Sequence, residues 1–187
     1  MVDSKIKLIA FDLEGVLFDW RGGLNSISEL TGIDSILIRK YILDNLVNLE
    51  SGKIDSVTFW KNFCLNFRIE ANPKELFKNW ILSQEKIINN WRTVKELKIK
   101  GYKIALCSNS WSGLIKIFSD NYPEFSIFDF VFDSSKIGFV KPEKEYFKYV
   151  EDVTGFKGEE IMLIDDSENN RKGAKNYGWQ TRDELMR

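Results

Sequence analysis

The stretch Ile6-Lys7-Leu8-Ile9-Ala10-Phe11-Asp12-Leu13-Glu14-Gly15 decides the reading of this chain. A short apolar run reads as a strand buried on both faces, the kind found in parallel sheets. Asp12 stops it, and a second acid and a glycine follow at once. A carboxylate where a strand ends is held rigidly at the open edge of a sheet, where α/β proteins bind ligands. Three later segments share this character. Ile104-Ala105-Leu106-Cys107 runs into Ser108-Asn109, Lys141-Pro142 opens a helical stretch, and Ile161-Met162-Leu163-Ile164 runs into Asp165-Asp166. The order acid, hydroxyl, lysine, acid pair is the most informative pattern in the chain.

Around these segments the sequence alternates strands and helices. Strands are expected over 6–11, 102–107, 127–132 and 161–164. Helical stripes fall at Trp91, Val94 and Leu97, at Leu114, Ile115 and Phe118, and at Tyr146, Phe147 and Val150, with Pro142 suited to the first turn of the last. Such alternation implies an α/β fold with a mostly parallel sheet flanked by helices. Residues 20–90 break the pattern, because only helical periodicity is found there. Ile33, Leu37, Tyr41 and Ile42 start one helix that ends before Gly52. Val57, Trp60, Phe63, Cys64 and Phe67 make a second, with Asp55 as its cap. Asn72-Pro73 starts a third carrying Leu76, Phe77, Trp80 and Ile81. The expected division is a core of 1–18 plus 92–187 and an inserted helical cap at 19–91 over the sheet edge. The aromatics of this insert read as bundle core rather than pocket wall, and Arg21, after Trp20 where the chain enters the insert, reads as hinge or surface rather than as a contact to an anionic substrate.

Composition narrows the chemistry. The 187 residues allow one substantial core, or a core plus a smaller module. With 43% hydrophobic and 29% charged residues the chain is ordinary for a globular protein, and a net charge of −1 offers no field for DNA or RNA. Lys95, Lys98, Lys100 and Lys103 read as a solvated helix face and its turn. There is no histidine, so Ser-His-Asp and Cys-His mechanisms and His-ligated zinc are excluded. Cys64 and Cys107 are far apart and sit in apolar runs, as small core residues do. No apolar stretch approaches the ~20 residues that span a bilayer, and no signal peptide is expected before the first strand. A cytoplasmic protein without a membrane role is the expectation.

Charge then dictates what the site needs. Asp12, Asp165 and Asp166 share one sheet edge if their strands are neighbours. Two like charges ~4 Å apart repel by about 1 kcal/mol in bulk water and about 4 kcal/mol at an effective dielectric near 20. Lys141 brings one positive charge, which is too little for three carboxylates. A hard divalent ion with oxygen ligands is the natural supplement, and Mg2+ fits because it takes few protein ligands and keeps waters for a phosphate. A carboxylate such as Asp12 can attack phosphorus and split one hard hydrolysis into two easier steps. Ser108 and the amides near Asn109 can donate to the transferring oxygens, and Lys141 can neutralise both nucleophile and phosphate. Glu14 stands where an acid can protonate the leaving oxygen and then activate water. Gly15 permits a tight turn beside the bound group.

With these residues in order, the chain resembles the haloacid dehalogenase superfamily, most closely its phosphatase-type members with a helical cap. Phe11-Asp12-Leu13-Glu14-Gly15-Val16-Leu17 is similar to the first motif of that family and Leu106-Cys107-Ser108-Asn109-Ser110 to the second. Gly138-Phe139-Val140-Lys141-Pro142 is similar to the third. The fourth resembles Ile164-Asp165-Asp166-Ser167-Glu168-Asn169-Asn170, continuing to Gly173-Ala174 and Gly178-Trp179. The resemblance implies a Rossmann-like core, Asp12 as nucleophile and Mg2+ ligand, and the main-chain carbonyl of Glu14 as a further ligand. It implies Asp166 as the direct acidic ligand with Asp165 beside it, or the reverse, and Ser108, Asn109 and Lys141 around the phosphate. A small phosphorylated metabolite would be the substrate, with the chain a monomer or homodimer. One residue departs from the family pattern, since phosphatases of this kind usually carry aspartate where Glu14 stands. The extra methylene shifts the acid by about 1.5 Å, and misplacement on the order of 1 Å can cost about 100-fold in rate. A 2-haloacid dehalogenase and a phosphate-binding regulatory protein with weak turnover are the alternatives. The acid pair speaks against the first, because carbon–halogen displacement needs no divalent metal.

Overall fold

The computed structural model describes residues 5–183, so the outermost ends of the expected core, 1–4 and 184–187, lie outside the described residues. Its centre is a five-stranded parallel sheet in the order β5-β4-β1-β6-β7. The strands are β1 (Leu8–Phe11), β4 (Lys103–Ser108), β5 (Phe130–Asp133), β6 (Ile161–Ile164) and β7 (Gln180–Arg182). β1 lies in the middle, paired with β4 and β6 in a register that sets Phe11 opposite both Leu106 and Ile164. The chain moves outward on one side through β4 and β5, then returns to the other side as β6. This is the reversal in strand order at which open α/β sheets form their ligand crevice.

Period-two alternation explains why both faces are covered. Ile9, Phe11, Ile104, Leu106, Met162 and Ile164 face one way, toward α5 (Ile88–Ile99) and α6 (Leu114–Asn121). Leu8, Ala10, Ala105, Cys107 and Leu163 face the other way, where Tyr146, Phe147, Ala174 and Trp179 close over them. Tyr146 and Phe147 belong to α8 (Lys144–Thr154), and Ala174 to α9 (Glu168–Tyr177). The stripes at Trp91, Val94 and Leu97 and at Leu114, Ile115 and Phe118 are buried as their spacing predicts. A short helix, α7 (Ser134–Ile137), follows β5.

Between β1 and α5 lie α1 (Arg21–Thr31), α2 (Ser35–Glu50), α3 (Ser56–Phe67) and α4 (Pro73–Leu82). Asp34, Asp55 and Asn72 cap the last three by accepting from backbone amides of the first turn. Pro73 occupies the first turn of α4, where its missing N–H costs nothing. Trp60 and Phe63 are fully buried among these helices.

Several expectations need correction. Residues 20–90 do contain a strand: β3 (Glu85–Lys86) pairs antiparallel with β2 (Phe18–Asp19) and clasps the entry and exit of the helical block. Two-residue strands carry no periodicity, so the sequence cannot announce them. α1 makes four helices in the stretch where three are expected, and β7 is a strand the sequence does not lead one to expect. The α2 stripe is Ile38, Ile42 and Leu49 rather than one through Leu37, which is 51% exposed. Pro142 precedes the N-cap Glu143 and so stands outside α8. Lys98 and Lys103 are not simply solvated, because both bond the carboxylate of Asp129.

Candidate active site

Asp12 leaves β1 beside the ends of β4 and β6, so its carboxylate is buried at the crevice. Its Oδ1 accepts from the Leu13 amide at 2.7 Å and lies 3.2 Å from Lys141 Nζ. Ligand oxygens of Asp12, Asp165 and Asp166 all lie within 4.8 Å of one another. Burial first, and then the charges of Asp165 and Asp166, raise the Asp12 carboxyl well above the carboxylate range, and Lys141 offsets this only in part. Asp166 is raised too, by burial and by Asp165. These three acids repel each other and are incompletely answered by the lysine, which is the condition a hard divalent cation relieves.

Lys141 is fully buried. Its ammonium donates to Asp165 Oδ2 at 2.6 Å and to the Cys107 carbonyl at 2.7 Å. Burial alone would favour the neutral amine, but Asp12 and Asp165 outweigh it and hold the charge, above the usual lysine range. Asn109 orders the backbone around it, with its Oδ1 accepting from the Lys141 amide and its Nδ2 donating to the Lys141 carbonyl.

The two later acids differ in their surroundings. Asp165 is enclosed: besides Lys141 it accepts from Asn170 Nδ2 and from the Ser167 amide. The Asp166 carboxylate accepts no hydrogen bond from another side chain among the described residues, although Arg171 Nη1 donates to its main-chain carbonyl at 2.7 Å, and the carboxylate faces Gly15. A Cβ at Gly15 would sit 2.3 Å from Asp166 Oδ2, and the φ of +88° there disfavours any side chain. Position 15 must therefore be glycine if the Asp166 carboxylate is to stand beside Asp12.

Glu14 turns toward the helical block. Gln84, in the connection between α4 and β3, donates Nε2 to Glu14 Oε1 at 2.5 Å. The Trp80 indole approaches the same carboxylate without closing a well-formed hydrogen bond. Burial raises the Glu14 carboxyl to about 7, and the Gln84 donor lowers it only in part. Ser108 ends β4, buried, and its hydroxyl has no hydrogen-bond partner among the described residues.

A cavity of about 430 Å³ opens above these groups. Asp12, Glu14, Asn109, Lys141 and Asp166 form its polar floor, whereas Ser108 is not part of the wall. Three tryptophans, Trp20, Trp80 and Trp111, also line it. The reading of insert aromatics as bundle core holds for Trp60 and for Trp80, and Trp80 in addition borders the cavity together with Trp20.

A family model for haloacid dehalogenase-like hydrolases matches residues 6–178. The chain belongs to that family. Among similar proteins, a phosphoglycolate phosphatase of Vibrio vulnificus (strain CMCP6) is 25% identical over 193 residues, covering 95% of this chain and 83% of its own. Bifunctional epoxide hydrolase 2 of Rattus norvegicus is 34% identical over 89 residues, which is 46% of this chain and 16% of that protein. A haloacid dehalogenase family enzyme from Bacteroides thetaiotaomicron, solved in complex with magnesium and inorganic phosphate, superposes with a TM-score of 0.79. It is 24% identical and the match covers 95% of this chain and 93% of that one, a likeness of fold.

Within this haloacid dehalogenase-like hydrolase, Gln84 and a further acid at the site have no sequence signal. Glu50, the last residue of α2, lines the cavity, and Asn109 Nδ2 lies 3.4 Å from its Oε2. Burial pushes its carboxyl up to about 7, and neighbouring Glu14 adds to this against Lys141 and Asn109. An acid at a helix end before Gly52 looks like any surface residue until the helix is placed. Asn170, present in the fourth motif, gives a weaker case. Its role in fixing Asp165 follows from the first turn of α9 and not from its type.

Proposed function

We propose that this hydrolase is a Mg2+-dependent phosphatase acting on a small phosphomonoester through an aspartyl-phosphate on Asp12. The observation that carries the reading is the close approach of Asp12, Asp165 and Asp166, with Lys141 Nζ against two of them. Asp12, Asp166 and the main-chain carbonyl of Glu14, with Asp165 alongside, would hold Mg2+, which when bound supplies positive charge to both carboxylates and phosphate. Asp166 is the freer of the pair because the Asp165 carboxylate is already occupied by three donors. The helical block, expected at 19–91, would act as the cap that excludes water from the reaction.

In the first step an Asp12 carboxylate oxygen attacks phosphorus and the bond to the ester oxygen breaks. The electron pair leaves with that oxygen, which takes a proton from Glu14. Lys141, on the cavity wall, stabilises charge on the non-bridging oxygens, and the Ser108 hydroxyl at the end of β4 would join it by turning toward the cavity. In the second step water attacks the phosphorus, Glu14 takes its proton, and Asp12 is released with inorganic phosphate. A Glu14 carboxyl near 7 suits an acid that becomes a base. The phosphatase relatives and the phosphate-bound neighbour support this reading over carbon–halogen chemistry.

The test is release of phosphate from p-nitrophenyl phosphate with and without Mg2+, in the parent protein and in Asp12→Asn. Activity should need the metal and fall by at least about 1000-fold in the variant. A folded Asp12→Asn protein with full activity would exclude the covalent route, and chelator-resistant halide release from a 2-haloacid would favour the dehalogenase alternative.

A further inference from the structure

The helix α2 presents Arg39, Ile42, Leu43, Leu46 and Glu50 to the cavity. Their spacing of three, one, three and four residues is that of a single helical face. Glu50 marks the inner end of this face, beside Asn109. Arg39 marks the outer end, eleven positions away and about 16 Å along the axis at 1.5 Å per residue. Between them Ile42, Leu43 and Leu46 offer neither donor nor acceptor. Trp80 and Trp111 also line the cavity, stacked with centroids 5.4 Å apart and planes 13° from parallel, and add indole surface to it.

Ser167, Asn169 and Asn170 add polar groups to the lining beside the floor, so the hydroxyls of a sugar phosphate would lose hydrogen bonds to water where they lie along Ile42, Leu43, Leu46 and the indole faces. Such unpaired burial costs about 1–3 kcal/mol per polar group. A short hydroxy acid such as glycolate would leave most of the 430 Å³ empty and put its carboxylate near Glu50. We infer that the substrate is a phosphomonoester whose organic part is an extended apolar chain or ring system lying along α2. This rests on the phosphomonoester reading above and adds the class of alcohol that is released.

The test separates binding from turnover. Methyl-, butyl- and octylphosphonate, which cannot be hydrolysed, are titrated calorimetrically into the full chain with Mg2+. The dissociation constant should fall about two- to fourfold per methylene over the first few carbons. Flat or rising constants, or no binding of any phosphonate, would overturn the inference. In parallel, kcat/KM is measured for methyl, butyl and octyl phosphate and for phosphoglycolate, with octyl phosphate expected to exceed the others by at least tenfold. Equal or better turnover of methyl phosphate or phosphoglycolate would overturn the apolar class while leaving hydrolysis intact. Length-dependent phosphonate binding without any phosphate release would do the opposite. Leu46→Asn, checked for folding by circular dichroism, should reduce the octyl-to-methyl ratio of kcat/KM by about tenfold. A loss shared equally by both substrates would mean that Leu46 serves only the packing of α2, against the inference.

Discussion

Glu14 is one methylene longer than aspartate, and Gln84 determines where that extra length goes. The 2.5 Å hydrogen bond from Gln84 holds the carboxylate against the connection between α4 and β3. An aspartate at position 14 would fall short of this donor by about 1.5 Å. Glu14→Asp is therefore expected to lower kcat/KM for an alkyl phosphate by about tenfold, as measured by phosphate release. Gln84→Met keeps the volume and removes the donor. An alkoxide needs a proton to leave and p-nitrophenolate does not, so this change should weaken turnover of alkyl phosphates about tenfold more than that of p-nitrophenyl phosphate. Equal losses on both substrates would show that Gln84 acts only on packing. The motif spacing shows that an acid stands two residues after Asp12. It carries no trace of the glutamine seventy positions later that orients it.

At the scale of elements, the sheet register and one helix terminus assemble the charged centre. Because Phe11 is level with Ile164, the residues that follow them meet at the same edge. α9 then begins at Ser167, whose side chain accepts from the Asn170 amide, and the same turn aims Asn170 at Asp165. Gly173 lets this helix close on Pro142, since a Cβ there would come within 2.4 Å of the proline ring. Ser167→Ala should cost about 1 kcal/mol of stability, visible as a lower urea midpoint with an unchanged m-value. No shift in midpoint would mean that the cap contributes nothing to α9. The long strands and amphipathic helices were legible because burial imposes a period on the sequence. The β2–β3 clasp was not, because two residues cannot display one.

Over the whole molecule, the site concentrates acids that prefer to be protonated when folded. Glu14 and Glu50 titrate near 7 in the folded chain against an ordinary 4.5, chiefly through burial. The folded state thus binds more protons between those values, so unfolding free energy falls as pH rises from about 4.5 to 7 and levels off above. Asp12 and Asp166, also raised, act in the same direction. Asp129, held near 2 against its own burial by Lys98, the Ile104 amide and Lys103, acts below this window. Metal-free protein should unfold at a lower temperature at pH 8 than at pH 5. Glu50→Gln should narrow the underlying difference in unfolding free energy by on the order of 1 kcal/mol, less than full linkage because Glu50 is partly wetted. A thermal midpoint that does not change between these pH values would contradict the crowding of acids at the cavity.

The sequence alone determined the α/β class, the helical character of the stretch that follows β1 and the residue types gathered at the sheet edge. Those features depend on local periodicity and on chemistry written into single positions. Tertiary structure alone decided that Asp166 stands over Gly15, that Gln84 holds Glu14, and that one face of α2 with Glu50 roofs the cavity. These are contacts between residues far apart in the chain. They arise from how helices pack and how strands align, and neither is set by a residue's immediate neighbours.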